Sequence, residues 1–155
     1  MFKNLFKKNQ SNSEESKFIL PLEGKLLPIE EVPDPVFSQK MMGDGAAIDP
    51  TNGTLISPVD GQVVNIFPTK HAISLMDNNG REILIHVGLD TVTLKGEGFT
   101  SHVEDGQKVK QGQKLMDIDF EAIKGKVPSI ITPIIFTNLK ENEKVVIENN
   151  EIKIV

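Results

Sequence analysis

The chain has 155 residues, a net charge of −5 at neutral pH, and no cysteine, tryptophan or tyrosine. That length suits one domain, able to bury roughly two-thirds of its unfolded surface and so to fold without staples. The missing cysteines exclude disulfides, thiolate zinc sites and cysteine nucleophiles, and an acidic chain poor in stacking aromatics makes no general nucleic-acid binder.

The opening MFKNLFKKNQ is basic, but no apolar signal-peptide segment follows it. No apolar run approaches the roughly 20 residues of a membrane span. A cytoplasmic protein is expected. On a helix Phe2, Leu5 and Phe6 would share one face, with Lys3, Lys7 and Lys8 on the flanks and opposite side. A helix shorter than roughly 12–15 residues is marginal in water, so this segment is expected to be disordered in solution. Residues 1–8 are expected to touch an anionic membrane weakly, a peripheral association. NQSNSEES (9–16) is polar and aperiodic, a linker. The chain thus divides into a flexible tail and linker over 1–17 and a single domain over 18–155.

From Phe18 onward most segments are short β-type runs between turn signals. FILPLEGKLLPI, GTLISPVDGQVVNIF, HAISLMD, REILIHVG and KVVIENNEIKIV read as strands or hairpins, while DPVFSQKMM and DFEAIKGK suit a helical turn or two. The expected fold is all-β, an antiparallel β-sandwich or flattened barrel with a few short helical turns. It carries an internal repeat: LPLEGKLLPI (20–29) aligns with SPVDGQVVNI (57–66), Pro21 on Pro58, Gly24 on Gly61 and Ile29 on Ile66. The paired glycines suggest equivalent tight turns or bulges. VEDGQKVKQGQKL (103–115) is a third turn-rich stretch; lipoyl and biotinyl carrier domains use similar hairpins, and generic hairpin punctuation explains it equally well.

Two of the three histidines flank the DNNG turn in HAISLMDNNGREILIHVG (71–88). As a strand, REILIHVGL puts Ile83, Ile85, Val87 and Leu89 on one aliphatic face, and Leu84, His86 and Gly88 on the other. A two-residue turn at Asn78-Asn79 sets His71 opposite His86. One at Asn79-Gly80, the better type I′ signal, leaves them one diagonal apart on the same face. An odd-length loop would reverse one face. Imidazoles at cross-strand distances, about 4.5–8 Å between β-carbons, can both touch one small anion or metal. His102, before a turn, reads as solvent-exposed and without a role.

Two histidines are too few for a typical catalytic zinc, which takes three protein ligands. Asp90 could be the third, but the His-x-His pair of zinc peptidases built from related β-hairpins is missing. No G-x-S-x-G elbow, phosphate loop or dinucleotide fingerprint occurs either. A histidine nucleophile fits better. Imidazole is nucleophilic near neutral pH and can form a phosphoramidate, while a second imidazole hydrogen-bonds the phosphoryl oxygens.

GREILIHVGLDTVTLKGEGF (80–99) closely resembles the active-site signature of the glucose-type IIA components of the bacterial sugar phosphotransferase system. The likeness runs over residues 20–138, through GDGAAIDP, SPVDG, FPTKHAISL, GQKVKQGQKL and TPIIFTN. It implies an antiparallel β-sandwich with a shallow, apolar-rimmed site and no required cofactor. It implies that His86 carries the phosphoryl group on Nε2, that His71 steadies that group, and that Thr69 orients His71. Asp34 and Asp90 match acidic rim positions, and Val36, Phe37, Met42, Phe67, Leu84 and Val92 match an apolar docking ring. The implied partners are the histidine-containing phosphocarrier protein as donor and the B domain of a sugar permease as acceptor. A regulatory binding module, or a zinc-binding protein using His71 and His86 as ligands, are the alternatives. The chain departs from the pattern at Pro35, where an aliphatic is common, and after TPIIFTN, where the last hairpin looks shortened around Glu148 to Glu151.

Overall fold

The computed structural model describes residues 17–155; the expected tail contact of residues 1–8 and nearly all of the linker lie outside them. The strands are β1 (Gly24–Pro28), β2 (Asp44–Pro50), β3 (Thr54–Ile56), β4 (Gly61–Ile66), β5 (Ala72–Asp77) and β6 (Glu82–His86). Then come β7 (Phe99–Ser101), β8 (Lys108–Val109), β9 (Lys114–Ile118), β10 (Thr132–Phe136), β11 (Val145–Glu148) and β12 (Glu151–Ile154). Two four-residue helices, α1 (Pro35–Ser38) and α2 (Phe120–Ile123), fall inside the stretches expected to be helical.

The fold is mostly β, with three antiparallel sheets. A seven-stranded sheet runs β1-β2-β10-β6-β5-β4-β8, a three-stranded sheet runs β3-β9-β7, and β11 pairs with β12. Among the described residues no sheet closes on itself, so the flattened barrel expected as an alternative is not formed: β1 and β8 remain the free edges of the large sheet. The large and small sheets share one core, where Ala46, Ile48, Ile73, Leu75, Ile83, Ile85, Ile134 and Phe136 meet Leu55, Phe99, Leu115, Met116 and Ile118. Most of these residues alternate along their strands, as the two-residue period of a pleated sheet requires.

The repeat holds in three dimensions, though its glycines do not make turns. Gly24 opens β1 and Gly61 opens β4. A β-carbon on either would lie 2.2 Å from the Asp49 carbonyl oxygen or 2.1 Å from that of Met76. In both copies the side chain is absent because the neighbouring strand's backbone passes there. The last hairpin turns at Asn149 and Asn150, with φ of +53° and +59°, as a type I′ turn demands.

The other face of the large sheet carries a smaller apolar cluster. Leu27, Ala47, Ala72, Leu84 and Ile135 are covered there by Ile29, Val32 and Phe37 of the segment that crosses over the sheet between β1 and β2. Leu84 and His86 sit two residues apart on β6, so the sheet that presents Leu84 to this cluster presents His86 at its margin.

Candidate functional site

His86 ends β6 and His71 immediately precedes β5. Their rings are 5.0 Å apart, centroid to centroid, and nearly perpendicular at 78°. The route to this geometry differs from the expected one. Ala72, not His71 or Ile73, is opposite His86, because Asn78, Asn79 and Gly80 form a three-residue loop between Asp77 and Arg81. One Asp77 carboxylate oxygen accepts from the backbone N–H groups of Asn79 and Arg81, both at 2.9 Å, and Gly80 takes φ of +87°. Strict alternation with this odd loop would send His71 to the opposite face. His71 escapes it because it lies before the strand, after Lys70 in a left-handed conformation (φ +61°). Phe67 N–H donates to the Ala72 carbonyl at 3.0 Å and Lys70 N–H to the Phe67 carbonyl at 2.7 Å, which folds residues 67–72 into a closed turn.

Each imidazole is held by its Nδ1. His86 Nδ1 lies 2.8 Å from the Gly88 carbonyl oxygen. A carbonyl only accepts, so this bond needs the proton on Nδ1 and leaves Nε2 with the free lone pair. Gly88 can turn its carbonyl this way because φ is +71°; a β-carbon there would stand 2.7 Å from Thr91 Cγ2. The Thr69 hydroxyl lies 2.6 Å from His71 Nδ1. When that hydroxyl donates, the His71 proton sits on Nε2, ready to be given.

Burial favours neutral rings. His71, only 6% exposed, is pushed from 6.5 down to about 4, by desolvation first and the neighbouring His86 second. His86 is also lowered by desolvation, opposed by its bond to Gly88 and by the carboxylates of Asp34 and Asp90. At neutral pH the His86 ring is therefore uncharged, with the Nε2 lone pair free. The unfolded chain takes up more protons than the folded one between about pH 6.5 and about 4. His71 should thus cost the folded state on the order of 3 kcal/mol of stability as pH falls through that window. Urea melts across this range should show a shallower loss for His71→Gln than for the parent; parallel curves would remove His71 as the source.

Phe37 packs against the His86 ring at 5.1 Å, and Phe67 meets His71 edge-on at 5.4 Å. Phe37 is delivered by α1, whose N-cap Asp34 accepts from Val36 N–H at 3.0 Å and whose first residue is Pro35. Phe37 and Leu84 are each 5% exposed, buried in the smaller apolar cluster rather than standing on the rim. Val36, Met42 and Val92 are exposed, Val92 by 51%, and Phe67 is half-buried. Met41, which sequence reasoning passed over, is the most exposed large apolar side chain among the described residues, at 70%. Asp90 is exposed and left-handed, opening the turn Thr91–Leu94. The Gly88 carbonyl was also missed, although H-x-G at the end of a strand is the signal for it.

His102 is exposed and sits 2.7 Å from Asp117, away from the pair. Among the described residues no group of three or more His, Cys, Asp or Glu side chains could hold a metal ion, so Asp90 does not complete a zinc site with His71 and His86. No helix among them is long and apolar enough to cross a membrane.

Residues 16–142 match the model of the family described as phosphoenolpyruvate-dependent sugar phosphotransferase system, EIIA 1. The chain is 57% identical over 138 residues to a PTS system glucose-specific EIIA component of Oceanobacillus iheyensis, covering 89% of this chain and 84% of that one. It is 55% identical over 126 residues to the PTS system glucosamine-specific EIICBA component of Bacillus subtilis, covering 81% of this chain and 20% of that longer one. Among solved structures, glucose permease IIA from Mycoplasma capricolum superposes with a TM-score of 0.81 at 43% identity, over 89% of this chain and 90% of that one. With the family match spanning most of the sequence and the fold shared, this protein belongs to the EIIA 1 family of the phosphoenolpyruvate-dependent sugar phosphotransferase system and is a phosphocarrier working through phosphohistidine.

Proposed function

We propose that His86 Nε2 is the atom that carries the phosphoryl group. The observation that carries this reading is the bond from His86 Nδ1 to the Gly88 carbonyl, which commits the proton to one nitrogen and the lone pair to the other. His71, 5.0 Å away ring to ring, donates to the phosphoryl oxygens, and Thr69 holds His71 in the donating tautomer. In the forward step the N–P bond of the donor's phosphohistidine breaks as the bond to Nε2 forms, with no metal needed to hand the group between proteins. The test is incubation with the general phosphotransferase enzymes and labelled phosphoenolpyruvate. Label should enter the protein in an acid-labile, base-stable form, and an acid-stable label would point to another kind of residue.

The donor is the histidine-containing phosphocarrier protein and the acceptor the B domain of a sugar permease. We infer glucose as the sugar, on the names of the glucose-specific relatives. Residues 18–155 act as a single phosphocarrier domain, which is supported by a core running from Leu22 to Ile152. Both partners dock on the same rim, where Val36, Met42, Phe67 and Val92 supply apolar contact, Phe37 and Leu84 back the site from the smaller apolar cluster, and Asp34 and Asp90 meet basic partner residues. Val92→Asp should therefore slow transfer with both partners about tenfold or more, while its melting temperature stays near the parent's because the side chain is already exposed. Unchanged rates with both would move the interface elsewhere.

The protein works in the cytoplasm, with residues 1–8 adding a weak contact to the membrane that holds the permease. That reading rests on sequence: three apolar anchors and three lysines, each lysine adding on the order of 1 kcal/mol at an anionic surface. The full chain should co-sediment weakly with anionic vesicles and lose this on removal of residues 1–8 or in high salt. Equal sedimentation of both chains would leave the tail without that role.

A further inference from the structure

We propose that Thr91 and Thr132 form a clamp on the Val87–Gly88 peptide and through it hold His86 in its transferring tautomer. They act as positioning residues; the proposal rests on His86 as the phosphoryl carrier.

The Val87 carbonyl and the Gly88 N–H belong to one peptide unit. The Thr91 hydroxyl donates to the Val87 carbonyl at 2.6 Å, and the Gly88 N–H donates to Thr132 Oγ1 at 3.4 Å. Thr132 gives its own proton to the Ile130 carbonyl at 3.1 Å, which leaves its oxygen free to accept from Gly88. Both polar ends of the peptide are thus gripped by buried hydroxyls from separate parts of the chain. The next peptide unit is held as well. Its N–H, on Leu89, donates to the Ser129 carbonyl at 3.0 Å, and its carbonyl, on Gly88, accepts from His86 Nδ1 at 2.8 Å.

Two further observations mark the clamp as more than local packing. Among the described residues the buried polar side chains are Ser57, His71, Thr91 and Thr132. All but Ser57 belong to the histidine pair or stand directly behind it. Burying a hydroxyl is costly unless it is bonded, and here that cost is concentrated at one peptide. The Thr91 methyl also occupies the space a Gly88 β-carbon would need, 2.7 Å from it. Threonine at 91 and glycine at 88 interlock, the hydroxyl fixing the peptide and the methyl filling the gap.

A fixed Gly88 carbonyl keeps the proton on Nδ1 and so keeps the lone pair on Nε2. Free imidazole side chains prefer the opposite tautomer, so a loosened carbonyl lets the ring drift towards the form that cannot attack. A small misplacement of a reacting group can cost about 10-fold to 100-fold in rate.

The experiment is nitrogen NMR of the His86 ring in the full chain, together with transfer kinetics. Thr91→Val and Thr132→Val keep the shape and lose the hydroxyl; Thr91→Ser and Thr132→Ser keep the hydroxyl. The parent and both serine chains should show His86 protonated on Nδ1 and transfer at similar rates. Both valine chains should show mixed tautomers and transfer about tenfold or more slowly. Should a valine chain not fold, the corresponding cysteine substitution, a poor hydrogen-bonding group, stands in for it. A valine chain with the parent's tautomer, or a serine chain that loses it, overturns the clamp. The NMR reads the tautomer whether or not His86 is the carrier, so failure of the clamp and failure of the carrier assignment remain distinct.

Discussion

His86→Gln should take up no label from phosphoenolpyruvate, while the parent labels fully under the same conditions. Glutamine can keep the contact to the Gly88 carbonyl through its amide N–H groups, and it fills much of the imidazole's space against Phe37. It has no basic nitrogen, since the amide lone pair is delocalised, so the N–P bond cannot form. His71 cannot take over: it is 6% exposed, and its Nδ1 is already engaged by Thr69. The fold should survive, because the main core between the sheets does not include position 86. Loss of label with a parent-like circular dichroism spectrum is the expected pair of results. A His86→Gln chain that labels at the parent rate would sink the assignment.

The strands around the site could be read from residues alone, because alternation is a local signal. Ile83 and Ile85 face the main core and Leu84 the smaller cluster, as their order in REILIHVG requires. The register of the β5–β6 hairpin could not be read. Asn79-Gly80 and Asn78-Asn79 both look like two-residue turns, yet the Asp77 carboxylate captures two backbone N–H groups and makes the loop one residue longer. The histidines still meet, since the left-handed Lys70 frees His71 from the strand's alternation. Barrel closure was equally out of reach, because it depends on whether β1 and β8, far apart in sequence, pair at their free edges. Burial at the rim is a third case. Phe37 and Met41, four positions apart, would share one face of a continuing helix; α1 instead ends at Ser38 and Lys40 is left-handed (φ +60°), so Phe37 packs against His86 while Met41 stands in solvent. The clamp on the Val87–Gly88 peptide needs Thr132, forty-four residues from Gly88, and no local pattern brings the two together.

His71→Gln should accept the phosphoryl group at a rate near the parent's and pass it on poorly. Acceptance depends first on the nucleophile, and His86 with its Gly88 contact remains intact. What is lost, on the proposed reading, is the N–H donor to the phosphoryl oxygens, carried on a ring 5.0 Å from that of His86, centroid to centroid. The neutral state of His71 suits a donor in that position. With its pKa lowered to about 4 it does not add a full charge beside His86, yet it keeps one N–H to donate. A donor of this kind contributes about 2.7–4 kcal/mol in a dry site. This rim is open, with Val92 and Met41 in solvent, so the loss should be smaller, about 1.4–2.8 kcal/mol, a slowing of about 10-fold to 100-fold. Glutamine is a poor substitute at this position because Thr69 no longer has a ring nitrogen to orient, and its three rotatable bonds, against the two of histidine, leave the amide less fixed. Rapid-quench transfer from the labelled variant to the permease B domain measures the effect directly. Thr69→Val, which keeps the ring but loses its orientation, should fall between the parent and His71→Gln. Parent-like onward transfer by His71→Gln would remove His71 from the mechanism and leave His86 to act alone.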